Sequence, residues 1–293
     1  MTGPQYAGVR EVSSNQEDIY KDLNQVVRKY AATRFLRPVA EHTRSSFEKA
    51  CRFVEDFYSR HSGNTTHGFN RGEPGIGTGG LEPFEVILDS GCGTGESTLH
   101  IASRFPHIPV IGIDKSAARL QKQQSTAKAS TTPAPENAFW VRAELLDFWK
   151  LALEAVDSGR WHIPYHALYY PNPWPKQSEA TRRFHLHPIF PTLVALADET
   201  ELRTNWEIYA REFRAAADIL SEIQQAPDSA PPAQSPAHSP KESAQPPQHS
   251  AQKKRAGLEE FTPANPETAF ERKYSESGQR LWKVRLLPPA SLH

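Results

Sequence analysis

A chain of 293 residues can bury a sizeable core, and 34 Lys and Arg against 34 Asp and Glu leave a formal net charge of +0, so no global positive field advertises a polyanionic partner. Contact with nucleic acid would have to use a local patch. The two cysteines, Cys51 and Cys92, are too few for a disulfide framework and lack metal-ligand spacing, which favours a reducing compartment and leaves no zinc site. No run of about 18 apolar residues occurs and the N-terminus lacks the order of a secretion signal, so a cytoplasmic protein with no membrane span and no metal is expected. Oligomeric state is left open.

In chain order, residues 16–36 place Ile19, Leu23, Val26, Val27 and Tyr30 at helical spacing, and a second helix fits Phe47, Cys51, Val54 and Tyr58. Ser45 with Glu48 three residues on reads as a capping box opening that second helix. Residues 1–80 are thus expected to form a helical extension ending in a glycine-rich loop. "FEVILD" (84–89) then reads as a buried strand, followed by a glycine turn, a helix through Leu99, Ala102 and Phe105, and a second strand, "VIGID" (110–114). "NAFWVRA" and "HALYY" read as strands three and four with "LLDFWKLALEAV" as the helix between them, "ELRTNW" as a fifth strand, and Trp206 to Ile223 as a helix. Continuous apolar strands alternating with amphipathic helices imply an α/β fold, a mostly parallel sheet covered on both faces.

Residues 224–257 change character. Proline, serine, alanine and glutamine dominate without apolar periodicity, so a disordered insertion is expected, interrupting a catalytic domain at 81–223 and 258–293. The run "QKKRAG" (252–257) reads as a flexible basic tip or a solubilising linker. Thr268 to Leu286 reads as two strands around a Ser-Gly turn, an antiparallel pair completing the sheet.

"ILDSGCGTGES" puts Gly91, Gly93 and Gly95 between a strand and a helix, where backbone can approach a ligand closely. A dinucleotide loop would carry glycine at 96, but Glu96 stands there and would oppose a bound pyrophosphate. Asp114 follows 19 residues after Gly95, the position from which a carboxylate accepts both ribose hydroxyls of a nucleoside. Asp89 can face an ammonium group. A nucleoside with a sulfonium and an amino-acid tail but no phosphate fits these residues, which points to S-adenosylmethionine. Glu144, after the third strand, is placed to reach the adenine amine or simply to favour a helix N-terminus.

Strand four ends at "YYPNPWPKQSEATRR" (169–183). Here the sequence resembles the tRNA (guanine-N7) methyltransferases, whose Pro-Asp-Pro-Trp-x-Lys segment is followed by an Arg-Arg pair. "TNWEIYAREF" and "TAFERKYSESGQRLW" continue the resemblance, which covers roughly 84–286 without the insertion. It implies a Rossmann-like class I fold with a C-terminal antiparallel strand pair, S-adenosylmethionine as cofactor and tRNA as partner. Residue by residue, Asp89, Asp114 and Glu144 pass to the cofactor, Asn172 to the active-site position, and Lys176, Asn205 and Thr268 to Glu271 to substrate. Asn172 and Asn205 stand where the family has aspartates, and Ser178, Glu179 and Thr181 thin its basic run. Guanine N7 carries a free lone pair, so its methylation needs positioning rather than a general base, and asparagine can still position. Three rival readings are a methyltransferase of exocyclic amines, suggested by Asn172-Pro173, a small-molecule methyltransferase, and a non-catalytic cofactor-binding subunit. Trp174 can stack on a base or pack under its loop. Lys176, Arg182 and Arg183 are candidate phosphate contacts, and His185 and His187 read as ordinary surface or core histidines.

Overall fold

The computed structural model describes Val9 and residues 11–33, 35–61, 82–122, 133–224 and 254–289. The helices are α1 (Leu23–Ala31), α2 (Glu41–His61), α3 (Glu96–Arg104), α4 (Leu145–Asp157), α5 (Phe190–Ala195), α6 (Glu207–Ile223) and α7 (Ala269–Glu276). The strands are β1 (Phe84–Glu85), β2 (Ile87–Ser90), β3 (Val110–Asp114), β4 (Ala138–Arg142), β5 (Trp161–His162), β6 (Tyr165–Tyr169), β7 (Glu199–Thr204), β8 (Arg255–Phe261) and β9 (Leu281–Leu287). Among the described residues no helix is long and apolar enough to cross a membrane.

Seven strands form one sheet in the order β4-β3-β2-β6-β7-β9-β8, with β1 and β5 as a separate short parallel pair. The strands from β4 to β7 run parallel, and β9 joins β7 and β8 antiparallel. From β2 the chain steps outward to β3 and β4, then returns to the other side of β2 as β6. That reversal opens a crevice at the carboxyl ends of β2 and β6, where open α/β sheets bind ligands.

The period-2 alternation of a strand sorts side chains between the two faces. On β2, Ile87 joins a core with Ile101 and Ala102 of α3, whereas Leu88 joins the larger core with Phe148 and Trp149 of α4. On β6, Tyr165, Ala167 and Tyr169 face the α3 side and Leu168 the α4 side. Gly112 on β3 permits a close approach: a Cβ there would lie 2.5 Å from Thr98 Oγ1 and 2.8 Å from Trp140 Cδ1.

The parallel α/β sheet and the antiparallel C-terminal pair match the sequence reading, but several boundaries do not. Residues 16–22 are not helical. Glu212 of α6 captures Gln16 Nε2 at 2.6 Å and the Tyr20 amide at 2.7 Å, and α1 starts only at Leu23. Ser45 and Glu48 form no capping box, because α2 has already begun at Glu41. The segment 268–276 is a helix rather than a strand, since Thr268 Oγ1 accepts from the Glu271 amide at 3.0 Å and caps α7. The partner of β9 is therefore β8, whose first residues belong to the stretch expected to be disordered. Lys254 is buried, with Nζ donating to Ala197 O at 2.7 Å and Asp198 O at 2.6 Å, so "KRAG" is no flexible tip. The rest of that insertion, and the glycine-rich loop before residue 82, lie outside the described residues.

Replacing Gly112 by alanine is expected to force Thr98 and Trp140 apart and destabilise the fold by about 1–3 kcal/mol. Urea denaturation at neutral pH reads the change as a lowered midpoint with an unchanged slope.

Candidate functional site

The glycine loop follows β2 at the crevice. Gly91, Gly93 and Gly95 have φ of 77°, 61° and 80°, the left-handed region that only glycine occupies cheaply. A Cβ on Gly91 would come no nearer than 4.0 Å to Leu145 Cδ1, and one on Gly93 no nearer than 4.0 Å to Gly91 O. A Cβ would meet no clash at either position, so it is the positive φ that calls for glycine there, and the backbone is left bare of side chains.

Asp89 lies 1% exposed on the α3 face, and its Oδ2 accepts from Ser97 Oγ at 2.7 Å and Thr98 Oγ1 at 2.6 Å. Burial pushes its carboxyl up to about 6, against the pull of the two hydroxyls. Asp114 closes β3 and joins two loops: Oδ2 accepts from the Gly93 amide at 3.0 Å and Oδ1 from the Ser116 amide at 2.7 Å, with Arg119 at 3.4 Å. Lone pairs remain on both carboxylates for hydroxyl or ammonium donors. Glu144 is the N-cap of α4 and has no side-chain capping bond. Its amide is held by Thr43 Oγ1 of α2 at 3.2 Å, and Ser46 Oγ binds Arg142 O at 2.7 Å, so α2 braces this side of the crevice. On the opposite face Ser90 Oγ meets Trp149 Nε1 at 2.9 Å and His166 Nε2 at 2.8 Å. Burial holds His166 down to about 3, so it stays neutral.

Across the reversal, β6 runs into the loop from Tyr170 to Lys176. Tyr170 and Trp174 both have positive φ, 50° and 46°, an unusual conformation for bulky residues. Pro171, Pro173 and Pro175 donate no backbone N–H, so the loop depends on donors from elsewhere. Asn172 is exposed, with Oδ1 accepting from the Trp174 amide at 3.3 Å. Lys176 is exposed as well, and Arg182 pairs with Glu179 at 3.1 Å while lying 4.6 Å from the Trp174 ring centroid. Arg183 is not available to a phosphate. It is 0% exposed, donates to Pro173 O and Trp174 O, and pairs with Glu212 at 2.7 Å. His185 is a core histidine donating to the same Glu212 oxygen at 2.8 Å.

The C-terminal motif sits behind this loop. Asn205 follows β7 and donates through Nδ2 to Gln279 Oε1 at 3.0 Å. Thr268 is spent on capping α7. Glu271 is 0% exposed and accepts from Arg203 at 3.0 Å, the Tyr170 hydroxyl at 2.9 Å and the Glu267 amide at 2.6 Å. As placed, it fixes Tyr170 at the root of the loop rather than reaching a substrate. Helix α7 is tied to α3 by Arg272 with Glu96, and the segment leading into α7 by Glu267 with Arg104 at 2.6 Å, which links the C-terminal motif to the helix behind the glycine loop. Sequence reading missed Ser97, Thr98, Tyr170 and Glu212. A hydroxyl pair one helical turn after Gly95 was a usable signal for the first two, whereas nothing local marks the others.

A sheet that reverses order beside a glycine loop, with aspartates at the carboxyl ends of β2 and β3 and a final antiparallel pair, defines the Rossmann-like class I methyltransferase fold. A family model described as "Putative methyltransferase" matches residues 84–257, more than half of the chain. The chain belongs to this methyltransferase family, which includes the tRNA (guanine-N7) methyltransferases. A tRNA (guanine-N(7)-)-methyltransferase of Paracoccus denitrificans is 29% identical over 154 residues, 50% of this chain and 54% of that protein. Another from Treponema pallidum is 27% identical over 151 residues, 50% of this chain and 57% of its own length. A trans-aconitate 2-methyltransferase of Deinococcus radiodurans is 52% identical over only 40 residues, 14% of this chain and 16% of that protein. The chain spans about half the length of these curated relatives or less. A solved antibiotic-related methyltransferase aligns over 70% of this chain and 87% of its own, at 13% identity and a TM-score of 0.41.

Asp89 supplies a pH test. Its carboxyl rises from the ordinary value to about 6 on folding, so its stabilising contribution is complete below about pH 4 and is lost as pH climbs through 6. Asp89→Asn keeps an acceptor for Ser97 and Thr98 without the buried charge. Relative to wild type, the variant is expected to be more stable at pH 8 than at pH 5 by about 1–3 kcal/mol. Urea midpoints of both proteins at the two pH values check this, and an equal difference at both would refute the assignment.

Proposed function

We propose that the protein is an S-adenosylmethionine-dependent methyltransferase that methylates guanine N7 of tRNA in the cytoplasm. The observation that carries this reading is the juxtaposition across the strand reversal: the glycine cradle with Asp89 and Asp114 ends β2 and β3, and the Asn172 loop ends β6, the strand hydrogen-bonded beside β2. The tRNA relatives support the substrate class.

In this reading Asp114 takes the ribose hydroxyls, Asp89 faces the ammonium group, the loop of Gly91, Gly93 and Gly95 lies along the amino-acid tail, and Glu144 borders the adenine. The bound cofactor supplies an electrophilic methyl group. What the chain contributes is alignment of the acceptor, because the N7 lone pair is already free at neutral pH. Asn172 spends its carbonyl on the Trp174 amide and so offers N–H donors outward, suited to the O6 carbonyl beside N7. Asn205 spends its amide on Gln279 and so offers a carbonyl, suited to the base's own N–H groups. Lys176 and Arg182 are the exposed cations for the backbone, with Thr268 and Glu271 acting behind them. An enzyme of exocyclic amines needs the Asn172 carbonyl to accept from the target NH₂, and here the Trp174 amide competes for that oxygen.

Incubation with methyl-labelled S-adenosylmethionine and total unmodified tRNA, followed by mass spectrometry of the nucleosides, is expected to yield 7-methylguanosine. A methylated exocyclic amine would move the assignment to that chemistry, and no incorporation would leave a binding protein. Asp114→Ala is expected to weaken cofactor binding at least about tenfold, through loss of charge-assisted hydrogen bonds. Asn172→Asp is expected to raise the rate of guanine methylation, since a carboxylate favours the base as it becomes cationic.

A further inference from the structure

Described residues before α1 meet the end of the Tyr170–Lys176 loop and the side chains that hold it. Ser14 Oγ donates to Pro175 O at 2.6 Å, and the Gln177 amide points at Asn15 Oδ1 at 3.5 Å. Gln16 is 8% exposed and works in both directions, donating to Glu212 Oε1 at 2.6 Å and accepting from Arg183 at 3.0 Å. The Tyr20 amide also donates to Glu212 Oε1. At its other end Val9 O accepts from Gln279 Nε2 at 3.3 Å, and Gln279 in turn holds Asn205. This strap joins the two strand ends that carry Asn172 and Asn205.

The loop needs such support. Positive φ at a tryptophan is sterically unfavourable and persists only where its surroundings impose it. Arg183 supplies the constraint by donating to the carbonyls of Pro173 and Trp174, its Nη2 reaching Trp174 O at 2.8 Å. The guanidinium lies 4.7 Å from the Trp206 ring centroid, and Glu212 balances its charge. Gln16 completes the arrangement. Without it, Arg183 loses one acceptor and Glu212 one donor in a dry site, where an unmade hydrogen bond is most costly.

We propose that residues 14–20 are the positioning strap of the acceptor site: Gln16, acting through Arg183 and Glu212, and Ser14, acting through Pro175, set the Asn172 loop in the conformation that presents the acceptor, and the strap walls one side of that site. Arg183 is a positioning residue and not a phosphate contact. The inference rests on the Asn172 loop being the acceptor side, so its test has one readout that needs that reading and one that does not.

The test uses the full chain with Ser14→Ala combined with Gln16→Ala, and Gln16→Ala alone should the pair not fold. The first readout is tryptic cleavage after Lys176, followed by mass spectrometry. Freeing the loop is expected to speed that cut about tenfold, a change equivalent to two lost hydrogen bonds of modest net worth. The second is labelled methyl transfer to unmodified tRNA, where kcat is expected to fall about tenfold with KM for tRNA and the cofactor Kd within about twofold. Unchanged cleavage overturns the proposal, as does faster cleavage with unchanged kcat. Should wild type transfer no methyl to tRNA, the guanine reading fails and the strap stands or falls on the cleavage rate.

Discussion

Glu212 receives hydrogen bonds from Arg183, His185, Gln16 and the Tyr20 amide, and is itself fully buried. Burial alone would raise its carboxyl, but the hydrogen bond from His185 and the Arg183 guanidinium bring it down to about 2. A charge buried without such partners would cost several kcal/mol, and removing one partner from a buried pair typically costs about 3–5 kcal/mol. From this carboxylate the N-terminal segment, helix α6 and the loop after β6 are fixed relative to one another. The proline-rich loop makes few hydrogen bonds of its own, the Asn172–Trp174 contact among them, and leans on this arrangement for the rest of its support.

The two sides of the crevice are organised on different physical terms. Around β2 the demands are local: positive φ at three glycines, two hydroxyls on the next helix, and a carboxylate reaching back to one amide. Around β6 and β7 they are long-range and ionic, with Glu271 joining Tyr170 to Arg203 and Glu267 joining α3 to the segment leading into α7. Ion pairs from α3 to α7 and to that segment connect the two sides directly. The glycine loop and the Asn172 loop, proposed above as the cofactor and acceptor sides, thus stand on one sheet without sharing a loop.

Asparagine at 172 and 205 makes chemical sense in this frame. Each has one half of its amide engaged internally, and the halves left over are complementary, a donor at one strand end and an acceptor at the other. A carboxylate at either place would offer acceptors only. In the proposed reading, recognition by these neutral groups gives up the charge that favours a cationic product while leaving in-line transfer available.

The strand-loop-helix-strand unit carrying Asp89, the glycines and Asp114 was legible in the sequence because its determinants lie within some thirty consecutive residues: alternation or continuity of apolar side chains sets the strands, and only glycine tolerates the turns. Apolar continuity likewise marked the five parallel strands of the main sheet, whereas the short β1–β5 pair was not read from it. Thr268 and Glu271 have the three-residue spacing of a helix cap, but the segment read as a strand and the pair as substrate contacts, because the aromatic residues around them resembled a strand. What Arg183 does was not legible, since its side-chain partners Glu212 and Gln16 lie 29 and 167 residues away and a buried arginine looks like an exposed one in one dimension. The pairing of β9 with β8, which follows the proline-rich stretch, and the capture of Gln16 and Tyr20 by Glu212, were likewise decided only in three dimensions. Local backbone geometry is written in neighbouring residues, whereas the role of a charged side chain is set by whichever distant partner the fold brings to it.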